Sequence, residues 1–101
     1  MDFEAYIRDI HDFPEKGIVF KDITPLLKDP VALQKAGDAL FNLIDGAEID
    51  KVVGVDSRGF IFAPMLATRL NAGFVPVRKV GKLPFTTVAE SYALEYGMDT
   101  L

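Results

Sequence analysis

Between Lys51 and Leu66 the chain reads KVVGVDSRGFIFAPML: a short β-branched run, a charged turn, then an apolar stretch with helical spacing. Residues 51–56 have the length and side chains of a buried strand. Residues 59–70 follow as a helix apolar almost all round, ended by Asn71 and Gly73, with Pro64 required near its first turn or at a kink. FVPVRK (74–79) supplies a second strand. A strand, a crossover helix and a further strand of one sheet are expected to be parallel and right-handed, which makes the fold class α/β. In open parallel sheets ligands bind beyond the carboxyl ends of the strands, where Asp56, Ser57, Arg58 and Gly59 are placed. Amides at a helix start and an arginine fork suit a phosphate or diphosphate, and Gly59 permits close backbone approach. A solvated cation at Arg58 and a simple cap at Asp56 account for the same residues, so the pattern alone leaves both readings open.

Composition narrows the alternatives. Half of the 101 residues are apolar, enough for a thin core. The longest apolar candidate is interrupted by Asp56 and Arg58, well short of the roughly 20 residues of a membrane span, and the start, MDFEAYIRDIH, lacks a basic, apolar leader. With no cysteine there is neither a disulfide nor a thiolate metal site, and a reducing cytoplasm is the natural setting. His11 is the only histidine, so no histidine cluster for zinc exists, and it is expected at the surface or at a helix end. The formal charge of −4 argues against a general nucleic-acid binder. Against that acidic background Arg78, Lys79 and Lys82 lie close together; on charge alone the cluster reads first as a solvated surface run, and alternatively as a field able to focus a small anion.

Elsewhere Phe3, Tyr6, Ile7 and Ile10 form a helical stripe, so the segment is expected to be helical. Pro14, Gly17 and Pro25 break any long element between residues 11 and 27, which reads as loop, short extended piece, loop. Asp29 and Pro30 mark a helix start; Leu33, Ala36, Leu40 and Leu43 continue it and Gly46 stops it. SYALEYG (91–97) reads as a further strand.

These residues carry a family resemblance. IRDIHDFPEKGIVFKDITPLLKDP (7–30), VVGVDSRGFIFAPMLA (52–67), FVPVRKVGKLP (74–84) and SYALEYG (91–97) resemble, in order and spacing, successive blocks of the adenine phosphoribosyltransferase family, in its amino-terminal portion. The resemblance implies a type I phosphoribosyltransferase fold: a parallel sheet with flanking helices and an N-terminal hood segment, in a homodimer. It implies one domain over 1–101, with helix and base-binding hood in 1–30, the start of the core sheet in 31–101, and a closing loop about 80–90. The implied reaction joins adenine to phosphoribosyl pyrophosphate (PRPP), with Mg2+, to give AMP and pyrophosphate in purine salvage. Neither nucleic acid nor a membrane is an expected partner.

Carried over residue by residue, Val19, Phe20 and Lys21 match the adenine-binding stretch, where the aromatic ring stacks on the purine and backbone groups on either side read its edge, whereas on sequence alone Phe20 reads as core packing. Lys21 stands where many relatives have arginine, a change that matters only if the side chain is used. Asp56, Ser57 and Arg58 match the pyrophosphate turn, for which the family implies a non-proline cis peptide. Arg78, Lys79 and Lys82 resemble further pyrophosphate contacts, the last on the closing loop. Arginines, a lysine and magnesium suit the charge developing on the leaving group, giving Arg58 a catalytic part. Glu95, which on sequence alone reads as a solvent-facing strand residue, matches the candidate acid–base residue near the purine imidazole, and Tyr96 a residue near the ribose or the loop.

The family's phosphate loop, two adjacent acidic residues followed by a hydroxyl- and glycine-rich stretch, has no counterpart in these 101 residues; DGAEID (45–50) is a helix end. The fold is therefore expected to be incomplete at its C-terminus, with an uncovered sheet edge that favours association, and the chain inactive by itself. Two other readings are a non-catalytic purine- or pyrophosphate-binding module and a phosphoribosyltransferase for another purine. The intact DSRGF, RKVGKLP and LEYG argue against the first, and GIVFKDIT against the second.

Overall fold

Residues 1–84, 88–89, 91–94 and 97–101 are described by a computed structural model, 91–94 and 97–99 in backbone alone. Together they form a mixed α/β arrangement that divides into two units, Met1–Asp45 and Gly46–Leu101.

In the first unit the expected amino-terminal helix is a single 3-10 turn, Phe3–Tyr6, started by the Asp2 carboxylate accepting from the Glu4 amide at 3.1 Å. The chain then extends as β1 (Arg8–His11), which pairs antiparallel with β2 (Val19–Asp22). A helix of about nine residues is marginal in water. Here cross-strand partners win: Arg8 faces Asp22, Asp9 faces Lys21 and Ile10 faces Phe20. Two of these pairs are ionic, Lys21 Nζ at 2.6 Å from Asp9 and Arg8 Nε at 3.6 Å from Asp22. Hydrogen bonds also hold Asp9 and Asp22 below the ordinary carboxylate range: for Asp9 the leading cause is the bond from Lys21, for Asp22 the bond from the Thr24 backbone.

The connection from β2 corrects a second expectation, because α1 (Thr24–Lys28) replaces a loop. Pro25 lies in its first turn, where the missing N–H costs nothing, and the Asp22 carboxylate accepts from the Thr24 amide at 3.0 Å. The expected start of α2 (Pro30–Asn42) is observed. Asp29 Oδ1 accepts from Val31 and Ala32 at 2.9 and 3.0 Å, satisfying two first-turn donors. Leu26 of α1 and Ala32 of α2 are buried.

In the second unit β3 (Lys51–Val55), α3 (Gly59–Arg69) and β4 (Gly73–Val77) form the expected strand–helix–strand unit, and β3 pairs with β4 in parallel. Pro64 is inside α3 rather than in its first turn, so the Phe60 carbonyl lacks its usual intrahelical donor. The helix meets the sheet through small residues, Ala63 and Ala67 being 6% and 3% exposed. Gly54 is the buried strand residue beneath it. A Cβ there would sit 2.6 Å from the Gly59 carbonyl oxygen, 2.7 Å from Ala63 Cβ and 2.8 Å from Phe74 Cε1, so only glycine fits. The strand is not buried on both faces. Side chains alternate, and Val53, Val55 and Val75 on the face away from α3 are 58%, 46% and 40% exposed. The expected last strand is β5 (Ser91–Leu94), and it pairs antiparallel with β6 (Gly97–Thr100).

Candidate functional site

The parallel register sets the candidate anion site. Val55 pairs with Val77, so the next residues, Asp56 and Arg78, leave the sheet side by side at its carboxyl edge. The Asp56 amide extends the ladder by donating to the Val77 carbonyl at 2.9 Å. The Asp56–Ser57 peptide bond is cis, as the resemblance implies. Ser57 and Arg58 then open α3: their carbonyls accept from Phe60 and Ile61 at 3.1 Å, and Arg58 takes the N-cap position with helical backbone angles and no side-chain cap bond. Acidic residues are absent from the first turn. Arg58 therefore lies at the positive end of a helix dipole, where anions are favoured.

One guanidinium organises the edge. Arg78 Nε donates to Asp56 Oδ2 at 3.1 Å and Nη1 donates to the Lys82 carbonyl at 3.2 Å, while its carbon lies 5.9 Å from the centre of the Phe60 ring. Phe60 is held edge-on by Phe74, ring centres 5.5 Å apart. The following loop is tied by backbone bonds as well, Lys82 to Lys79 at 3.2 Å and Val80 to Thr100 at 2.9 Å. Asp56, Ser57, Arg58, Arg78, Lys79 and Lys82 thus fall on the carboxyl-edge turn or the segment following β4. Four of these six residues are cationic and one is a carboxylate, in a chain whose net charge is −4.

Val19, Phe20 and Lys21 all lie on β2, in the other unit. The Phe20 ring meets Phe13 in a T-shaped contact with centres 5.1 Å apart. The intervening loop is closed by Gly17 donating to Asp12 Oδ1 at 2.8 Å and by Phe13 donating to the Ile18 carbonyl at 3.1 Å. Lys21 gives its ammonium to Asp9, so the strand offers its backbone, not a free cation. His11, also on the hairpin, pairs with Val19 and is exposed, the surface position expected of it and not a helix end. Glu95 and Tyr96 lie outside the described residues.

Comparison with known proteins decides the lineage. No family model matches the chain. The adenine phosphoribosyltransferase of Thermobifida fusca is 60% identical over 98 residues, covering 97% of this chain and 56% of the relative. The crystal structure of adenine phosphoribosyltransferase from Rhodothermus marinus superposes with a TM-score of 0.88 at 59% identity, over 97% of this chain and 56% of that one. The enzyme of Giardia lamblia, solved with 9-deazaadenine, gives 0.92 at 41% identity over 98% of this chain and 55% of that one. The chain belongs to the adenine phosphoribosyltransferase family. It spans a little over half the length of the curated relatives it matches.

Among the described residues no group of three or more His, Cys, Asp or Glu side chains is placed to hold a metal ion, and no helix is long and apolar enough to cross a membrane. The donor set at the turn is cationic, which suits phosphate oxygens and not a resident magnesium ion. Three supporting residues were missed in the sequence: Phe60 under the guanidinium, Phe13 against Phe20, and Gly54 beneath the helix start. Only Gly54 left a signal, as an isolated glycine within a strand pattern marks a close backbone approach.

Proposed function

We propose that this chain carries the base-facing and diphosphate-facing parts of an adenine phosphoribosyltransferase, the purine-salvage enzyme that forms AMP and pyrophosphate from adenine and PRPP. The observation that supports this most is that Arg58, Arg78, Lys79 and Lys82 fall on a strand-to-helix turn and the segment after the neighbouring strand, within a match to the family over 97% of this chain.

In this reading the pyrophosphate of PRPP lies against Ser57, Arg58, Arg78 and Lys79, with Lys82 on a loop that closes and excludes water. As adenine N9 forms its bond to the ribose C1, the bond from C1 to the pyrophosphate oxygen breaks and its electron pair leaves with pyrophosphate. Arg58 and the neighbouring cations stabilise that charge as it grows. Magnesium bound with PRPP would supply neutralisation of phosphate charge. Adenine stacks on Phe20 and is read by the backbone of Val19 and Lys21, which is why Lys21 can bind Asp9 and still serve. Glu95 near the imidazole balances the loss of the N9 proton, and Tyr96 packs near the ribose or loop. Residues 1–30 serve as the hood segment of a single domain over 1–101, and the protein works as a cytoplasmic homodimer.

The 101 residues contain no adjacent acidic pair with a hydroxyl- and glycine-rich loop for the 5′-phosphate. The purified chain, given adenine, PRPP and magnesium, is therefore expected to bind adenine and pyrophosphate by calorimetry and to form no AMP. Absence of binding by a folded sample refutes the reading; AMP formation refutes the part assigned to the missing loop.

A further inference from the structure

Asp56 is out of place for a direct contact. A carboxylate within an anion-binding turn repels the ligand, with an interaction that falls only as the inverse of distance. Its Oδ2 is instead taken by Arg78 Nε at 3.1 Å. The same guanidinium is held by the Lys82 carbonyl at 3.2 Å and lies 5.9 Å from the Phe60 ring centre. These contacts constrain both the position and the plane of the fork. They use two of the five N–H groups an arginine carries and leave three for a ligand. Asp56 is itself fixed, its amide bound to the Val77 carbonyl at 2.9 Å, and Phe60 is fixed by Phe74.

We propose that Asp56 is a positioning residue: its carboxylate orients the Arg78 guanidinium, and the anion binds Arg78 rather than meeting Asp56. This rests on the diphosphate reading above. The pair is partly open to water, with side-chain exposures of 35% and 32%, so its service is to orientation more than to fold stability. Holding a long side chain in its bound geometry lowers the ordering cost of binding.

The sign of one substitution separates this role from simple charge. Removing a carboxylate beside an anion site strengthens binding if only Coulomb repulsion operates. Asp56→Asn, titrated with inorganic pyrophosphate in the full chain, is expected to weaken binding roughly fivefold, the upper range for a partly exposed ion pair. In an Arg78→Lys background the same substitution is expected to cause no further weakening. Equal or tighter binding by Asp56→Asn overturns the proposal.

A second readout needs no ligand. The Arg78 Nε–H resonance in a nitrogen-15 spectrum of the wild-type chain is expected to be shifted and protected from water exchange, and to lose both properties in Asp56→Asn. A wild-type resonance at the position of a solvated arginine overturns the proposal. A wild-type chain that shows the protected resonance but ignores pyrophosphate upholds the positioning of Arg78 and refutes the diphosphate reading.

Discussion

Gly54→Ala is the most informative single change for the fold that carries the turn. The new methyl carbon would meet the Gly59 carbonyl oxygen at 2.6 Å, Ala63 Cβ at 2.7 Å and Phe74 Cε1 at 2.8 Å. Carbon contacts settle at about 3.5–4.0 Å, so each approach is short by roughly an ångström. None of the three yields cheaply. Gly59 is backbone at the helix start, Ala63 is buried, and Phe74 is braced by Phe60. Overpacking costs about 1–3 kcal/mol, and a three-way clash that includes backbone belongs at the upper end. Against this, replacing glycine restricts the unfolded chain and returns about 0.4–1 kcal/mol. The net expectation is a loss of about 2 kcal/mol, a fall of roughly 1–2 M in the urea midpoint, followed through the amide resonances of residues 51–77. Gly73→Ala is the control. Its nearest neighbour is the mobile end of Lys51 at 3.1 Å, so its change is expected within about 0.5 kcal/mol. A Gly54→Ala chain as stable as the wild type, or more so, refutes the packing argument.

Four further outcomes follow from named contacts. Asp29→Ala removes the acceptor of the Val31 and Ala32 amides and is expected to cost about 1 kcal/mol, read by thermal melting of the α2 signal. Leu26→Ala opens a cavity in the first unit and is expected to cost about 2–3 kcal/mol in urea unfolding monitored at residues 24–42. The folded-state pKa of Asp22 is depressed, so its contribution is full above the unfolded value of about 3.9 and is lost as pH falls through the folded value. Stability measured from about pH 6 down to pH 2 is expected to fall in that window, and less steeply in Asp22→Asn. Phe20→Ala is expected to weaken adenine binding about tenfold, as one lost stacking surface does, and to leave pyrophosphate binding unchanged by calorimetry.

The second unit was largely legible because its signals were local and redundant. Its β-branched strands and the crossover helix between them each specify their own geometry, as the Asp29–Pro30 cap does in the first unit, and the parallel register then brings Asp56 and Arg78 together. The first unit was misread where local pattern and pairing compete. Phe3, Tyr6, Ile7 and Ile10 have helical spacing, yet the same chain extends from Arg8 because Phe20, Lys21 and Asp22 supply partners across the hairpin. That information lies a dozen residues away, beyond the reach of periodicity. Pro25 reads as a breaker in the sequence although it also fits a first helical turn, and there the Asp22 carboxylate accepts from the Thr24 amide. At the site, residue types pointed to anion chemistry, but partner choice did not show. Nothing in the linear sequence indicates that Asp56 binds Arg78, that Phe60 supports it, or that Lys21 is committed to Asp9.

The central claim is that the turn at the carboxyl edge of β3 and β4 receives a diphosphate. The most direct test is a titration of the nitrogen-15-labelled chain with inorganic pyrophosphate, with and without magnesium. Saturable shifts at Ser57, Arg58, Gly59, Phe60, Arg78 and Lys82, with none along residues 24–42, are the predicted result. Shifts spread over the exposed lysines of both units, or none at the turn, contradict it.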